Sequence, residues 1–167
     1  MYDELTKQDI AKMREEIDYR VQQLCPKLIE DVQTARAFGD LSENFEYKCA
    51  KQDKNRNDAR IRYLQRMIKT AKVIDDRSAE DTVGLHDSVE ILMENTGKQR
   101  TIRMVTTLRQ NALQGLISKE SPVGQAVMGR RAGERVYVDM GGGKGYWLQI
   151  LSVEKGKDDD SIPIGSF

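Results

Sequence analysis

The 167-residue chain is poor in the residues that build metal centres, disulfide frameworks and large cores. It has two cysteines, Cys25 and Cys49, and one histidine, His86. A structural zinc site takes about four Cys/His ligands in close pairs, so no zinc is expected. A disulfide is not expected either. If the chain reverses near residue 40, Cys25 faces the region of residue 55 and Cys49 that of residue 31, so both read as ordinary half-buried thiols. His86 reads as a surface loop residue. Aromatic residues make up only 6% of the chain, which argues against a large globular core. Net charge is also absent, with 27 basic and 27 acidic residues. The whole chain is therefore no generic polyanion binder, and any electrostatic function must come from the arrangement of charges. No apolar run approaches the roughly 18 residues of a membrane span, and Met1-Tyr2-Asp3-Glu4 does not read as a signal peptide. A cytoplasmic protein with no membrane partner is expected.

What the chain does have is periodicity. Thr6 and Asp9 are spaced as a capping box that opens a helix. Apolar residues then recur at Ile10, Met13, Ile17, Val21, Leu24, Leu28, Val32 and Ala35, always three or four apart, which makes one stripe on a long helix. Pro26 removes a backbone donor and predicts a local bend. A second stripe runs through Tyr47, Ala50, Lys54, Asn57, Ile61, Leu64, Ile68 and Ala71. Lys54 and Asn57 make that seam partly polar, which costs stability and fixes register. Two such helices joined by a tight turn must be antiparallel.

The second helix is electrically uneven. From Lys48 to Lys72 it has nine basic residues against two acids. Six of the nine, Lys48, Lys51, Arg62, Arg66, Lys69 and Lys72, fall on adjacent outer heptad positions. That flank suits either plain solvation or guidance along a nucleic-acid backbone or another negatively charged wall.

The second half reads differently. A polar linker over residues 77–83 precedes alternating runs at Ser88–Glu94 and Arg100–Thr106, with a turn at Asn95-Thr96-Gly97-Lys98. Leu116-Ile117 predicts a short strand. Ser121-Pro122 predicts the start of a short helix ending at Gly129. Arg135–Met140 and Tyr146–Val153 predict a last hairpin around Gly141-Gly142-Gly143-Lys144-Gly145. That glycine cluster lacks the spacing of a phosphate loop and reads as a hairpin turn. The expected organisation is a hairpin over residues 1–76, the linker, a globular domain over 84–157 and a disordered tail over 158–167.

Between the two stripes lies Gly39-Asp40-Leu41-Ser42-Glu43-Asn44-Phe45-Glu46-Tyr47. Local physics accounts for part of it. Gly39 suits a left-handed helix end, and Asp40 with Glu43 suits a capping box on the second helix. Leu41, Phe45 and the third acid Glu46 exceed what a plain turn needs, and they point to a docking end.

The run Ala35-Arg36-Ala37-Phe38-Gly39-Asp40-Leu41-Ser42-Glu43-Asn44-Phe45-Glu46-Tyr47 resembles the signature of the GreA/GreB transcript cleavage factors of bacterial RNA polymerase. Leu5-Thr6, Met13-Arg14-Glu15-Glu16, Pro26, Val73-Ile74-Asp75, Ile117-Ser118 and Ser121-Pro122-Val123-Gly124 extend the likeness over most of the chain. It implies an N-terminal antiparallel coiled-coil hairpin and a C-terminal FKBP-like α+β domain with an antiparallel sheet. It further implies a monomer whose globular domain docks on the polymerase, through Ser121 and Pro122, while the coiled coil enters the secondary channel. Asp40 and Glu43 would help hold a catalytic Mg²⁺ shared with the polymerase. Arg36, Gly39, Ser42, Asn44 and Tyr47 would support the tip. The chain would then activate the polymerase's own hydrolysis of RNA near the 3′ end of backtracked complexes, and would not itself be a nuclease. In the family, His often precedes the Gly-Asp and Ala often follows the Glu-Asn, where this chain has Phe38 and Phe45. A Gre-like channel inhibitor without cleavage activity is the alternative. A peptidyl-prolyl isomerase is a more distant one, because the second domain offers few aromatics for such a pocket.

Overall fold

The computed structural model describes residues 3–39, 43–159 and 161–165. In chain order the elements are β1 (Glu4–Leu5), α1 (Lys7–Tyr19), a π-helical turn (Arg20–Leu24), α2 (Cys25–Arg36), α3 (Phe45–Thr70), β2 (Lys72–Val73), β3 (Ser88–Met93), β4 (Lys98–Val105), β5 (Leu116–Ser118), α4 (Pro122–Val127), β6 (Arg135–Gly141) and β7 (Lys144–Glu154). They fall into two compact units. One contains residues 10–71; the other joins residues 3–9 to residues 72–165. The expected division assigned residues 3–9 and 72–76 to the hairpin. Strand pairing moves them: Glu4 and Leu5 run parallel to Lys72 and Val73, and Ile74 donates to the Leu5 carbonyl at 2.9 Å.

The helical unit is a hairpin. The 26 residues of α3 span about 39 Å at 1.5 Å per residue. Across the hairpin, the Asn44 side chain reaches the Ala35 carbonyl, Arg20 reaches Asn57 and Arg60 reaches Glu16. One strand of contacts recedes from the turn as the other advances, so the helices are antiparallel. Leu64, Ala35 and Asn57 are buried in the seam.

The polar part of the seam is larger than the sequence pattern indicated. Arg60 donates to both oxygens of Glu16 at 2.9 and 3.1 Å, while Arg20 donates to Glu16 at 2.8 Å and to the Asn57 amide oxygen at 3.0 Å. Burial works to raise the Glu16 pKa, but the hydrogen bonds from Arg60 and Arg20 prevail and hold it below the usual carboxylate range. A buried polar cluster of this kind fixes alignment because any slip leaves charges unpaired.

Pro26 does more than bend the helix. The turn before it is π-helical, and the Cys25 amide bonds to the Arg20 carbonyl five residues back. A proline ring collides with the carbonyl four residues earlier; the wider turn moves that carbonyl away. The extra residue also shifts the phase of the stripe, so Val21, expected in the seam, is 49% exposed.

The second unit is a five-stranded sheet of order β5-β4-β3-β7-β6 with α4 beside β6. Every neighbouring pair is antiparallel except β4 and β5, which are parallel. Val89, Ile91, Ile102, Met104, Val136, Val138, Leu148 and Ile150 alternate onto one face and, with Val83 and Val127, form the core. A bulge opposite Glu90 and Ile91 drops one residue of β7 from the register and keeps Ile91 and Ile150 facing inward together. The glycine cluster is the β6–β7 hairpin turn: Gly142 and Gly143 have φ of 63° and 75° between paired Gly141 and Lys144, as a two-residue primed turn requires.

Three further expectations change here. The linker is shorter, because Val83 is a core residue bonded to Arg130 and Gly129, and Lys155 ties Ser78, Ala79 and Thr82 to the buried Asp87. The tail is ordered where described: Thr6 donates to Asp158 at 2.7 Å, Ile162 is 5% exposed and Gly165 donates to the Leu108 carbonyl. His86 is not a surface residue. It is 3% exposed with φ of 70°, and its Nε2 lies 3.7 Å from Asp158. Burial pushes its pKa down, against the pull of Asp158. The predicted Thr6–Asp9 capping box is present, with reciprocal bonds of 3.1 Å. Asp9 is fully buried and also accepts from Arg109, a pairing that the helix-start pattern alone does not require.

Candidate functional site at the hairpin turn

The turn is built from its two helix ends inward. Helix α2 ends at Arg36, and the Ala37 and Phe38 amides continue onto the carbonyls of residues 33–35. Gly39 follows with φ of 135°, a backbone that side chains with a Cβ rarely adopt. On the other side α3 opens at Phe45, and its N-cap is Asn44, not the expected Asp40. The Asn44 side-chain oxygen accepts from the Tyr47 amide at 3.0 Å while its amide nitrogen donates to the Ala35 carbonyl at 2.7 Å. One side chain therefore caps the outgoing helix and ties it to the incoming one.

That pin places Glu43 in the turn with its residue exposed, one position before the cap. Glu46 is exposed in the first turn of α3, where the helix dipole favours a carboxylate. Phe38 and Phe45 are 73% and 76% exposed, and with Glu43, Asn44 and Glu46 they line one open concavity. Asp40, Leu41 and Ser42 lie outside the described residues. Of the expected tip supports, Asn44 and Gly39 have a structural role on view, Tyr47 supplies the capped amide, and Arg36 is an exposed basic residue closing α2.

Asn44→Ala is expected to cost the tip about 1 kcal/mol through the lost cap, with faster hydrogen exchange at the Tyr47 amide. Asn44→Asp keeps the cap acceptor but turns the tie to the Ala35 carbonyl into an oxygen–oxygen repulsion, so the Tyr47 amide should stay protected while the link between the helices is lost.

Lys48, Lys51, Arg62, Arg66 and Lys69 are all exposed on α3, and their spacing puts them on one face. Lys51 lies 6.0 Å from the ring of Tyr47 and Arg66 5.8 Å from that of Tyr63. Lys72 does not belong to this row. It sits in β2, and its ammonium lies 3.4 Å from Glu4.

In the second unit, Ser121 is the N-cap of α4. Its hydroxyl accepts from the Gly124 amide at 3.0 Å and donates to the Ser118 carbonyl at 2.7 Å. Pro122 is exposed at the first helical position. Near it, Tyr137 and Trp147 are over 40% exposed, with Arg135 stacked 4.1 Å from the Trp147 ring and bridged to Glu94. No local pattern assigns a role to Glu16, Arg20, Arg60 or Arg109. Arg60 and Arg109 are buried, and Glu16 and Arg20 half-buried, only through tertiary contact.

An antiparallel helical hairpin with Glu43 and Glu46 exposed at its turn, joined in sequence to an α+β sheet domain, defines a two-domain protein of the kind built from a helical hairpin and a small sheet unit. Family models described as "Transcription elongation factor, N-terminal" and "Transcription elongation factor, GreA/GreB, C-term" match residues 4–73 and 78–155. The chain belongs to the GreA/GreB family of transcription elongation factors. It is 36% identical over 135 residues to transcription elongation factor GreA of Mesoplasma florum, covering 80% of this chain and 86% of that one. It is 33% identical over 154 residues to GreA of Oenococcus oeni, covering 92% and 95%. A solved structure of the transcription factor Gfh1 aligns over 93% of this chain and 99% of its own, at 22% identity and a TM-score of 0.45.

Proposed function

We propose that this chain enters the secondary channel of bacterial RNA polymerase by its helical hairpin and stimulates the polymerase's own hydrolysis of backtracked RNA near the 3′ end. The observation that carries the reading is Glu43, exposed at a turn that Asn44 pins to both helices. A carboxylate held rigidly at the end of a helical pair is suited to reach a recessed site. The protein acts as a monomeric, cytoplasmic activator, and the bond-breaking machinery belongs to the polymerase.

The donor set fits magnesium in a shared site only. Carboxylate oxygens suit Mg²⁺. Among the described residues no group of three or more His, Cys, Asp or Glu stands together to hold a metal. Asp40 and Glu43 would therefore add oxygen ligands to a Mg²⁺ held mainly by the polymerase's aspartates. The bound ion supplies charge neutralisation and a more acidic water. The chain's part is to bring the carboxylates, fix Glu43 by the cap beside it, and line the approach with cations. Ser121 and Pro122 contribute to docking of the second unit on the polymerase.

The test is RNA product length from stalled, backtracked complexes with and without the full chain. Shortened RNA that can be re-extended supports the reading. Inhibition without shortening would leave the channel-blocking alternative. The exposed row of Lys48, Lys51, Arg62, Arg66 and Lys69 gives a second expectation. Replacing three of these by Gln should weaken engagement several-fold at low ionic strength. The gap between wild type and variant should narrow as salt is raised, because exposed charges are screened. A gap that is constant with salt would remove the electrostatic role.

A further inference from the structure

The chain has only three phenylalanines, and two of them, Phe38 and Phe45, are spent on the surface at the hairpin turn. Among the described residues neither side chain takes part in the bonds that close the turn, which come from Asn44 and the helix ends. Both line the same shallow, open concavity, wide enough for a flat ring to lie against. Exposed aromatic faces left unpacked beside a site of RNA chemistry are what base stacking requires.

The charges around the concavity narrow the occupant. Its rim holds Glu43 and Glu46, which repel phosphate. The uncharged base is therefore the part of a nucleotide that can enter. Phosphates have a place next door: Lys48 and Lys51 follow Phe45 on the adjoining face of α3, and both are exposed. Aromatic groups on both sides of the turn, with cations along the helix that follows, match a single strand lying with one base inserted and its backbone on the basic row.

We propose that Phe38 and Phe45 form a stacking platform for an unpaired nucleobase at the 3′ end of backtracked RNA. This rests on the channel-entry reading above. The platform does not take part in bond breaking. It is a positioning device that holds the displaced end of the transcript in place while Asp40 and Glu43 serve the reacting phosphate.

The test uses elongation complexes halted in the backtracked state, with 2-aminopurine as the 3′-terminal RNA base, and the full-length chain. Adding wild type is expected to quench the 2-aminopurine, and Glu43→Gln should quench equally, because stacking does not need hydrolysis. The double variant Phe38→Ala/Phe45→Ala should lose the quench and lower the cleavage rate by roughly 5- to 150-fold, the range for a lost base–aromatic stack. Phe45→Trp should keep both signals, whereas Phe45→Leu, apolar but not aromatic, should not. A quench that survives the double alanine variant would overturn the proposal. So would full rescue by leucine, which would instead make the pair an apolar contact with the channel wall. If Glu43→Gln cleaves like wild type while the quench still depends on the phenylalanines, the cleavage reading fails and the stacking platform stands.

Discussion

Asp40→Asn and Glu43→Gln are each expected to reduce stimulated transcript cleavage by about 100-fold or more while leaving polymerase binding nearly unchanged. Removing an outer-shell partner of a metal commonly costs about 10- to 100-fold, and a direct oxygen ligand should exceed that. Binding is expected to survive because Glu43 is exposed and, among the described residues, takes no part in the cap that shapes the turn; Asn44 performs that task. Both substitutions keep size and remove charge. The measurement is a cleavage time course on backtracked complexes beside a direct binding titration. Loss of affinity in step with loss of cleavage would show that these side chains shape the turn and do not supply the metal. Asn44→Ala sharpens the contrast, since it should alter turn order without removing any charge.

The largest stability effect is expected far from the turn in sequence, at Arg109. Its side chain is 1% exposed and donates to the fully buried Asp9 at 2.5 Å, and it lies 3.0 Å from Asp158. Arg109→Ala leaves the buried Asp9 side chain without its partner. Breaking a buried pair from one side costs roughly 3–5 kcal/mol, which is a large share of a small domain's stability. Arg109→Lys keeps the charge but lacks the planar fork that serves two carboxylates, so its cost should be intermediate. Trp147, the chain's one tryptophan, lies in the same unit and reports its denaturant unfolding by fluorescence. A loss under about 1 kcal/mol for Arg109→Ala would mean that water reaches Asp9 on truncation and that the pair is not a structural lock. The same contacts explain why residues 3–9 and the tail belong with the sheet. Thr6, Asp9 and Asp158 all converge near Arg109, and Glu4 pairs with Lys119.

Spacing alone carried the two helices, the Thr6–Asp9 capping box, every strand of the second unit to within a few residues except the short β1 and β2, the Ser121 cap and the glycine hairpin. Each of these rests on interactions between residues near in sequence, where period and turn chemistry are visible. Glu43 and Glu46 are exposed at the turn, as a short unbroken motif suggests, while Asp40 lies outside the described residues. The cap was not legible. Asp40 and Asn44 are both good N-cap types, and only the path of the chain selects Asn44, by setting it where it also reaches the Ala35 carbonyl.

Long-range contact settled the rest. Nothing local marks Glu16, Arg20 and Arg60 as partners; they meet because an antiparallel register brings positions 44 residues apart into hydrogen-bond range. Lys72 fits the basic row by number, but pairing of β2 with β1 removes it from the helix. His86 was read as exposed because a lone polar residue between Leu85 and Asp87 has no periodic neighbours to reveal its burial. Sequence determined the elements and the residues with chemical potential, since those depend on neighbours along the chain. Tertiary structure decided which charges are buried, where the units divide and which side chain pins the turn, since desolvation and pairing exist only once distant segments are packed together.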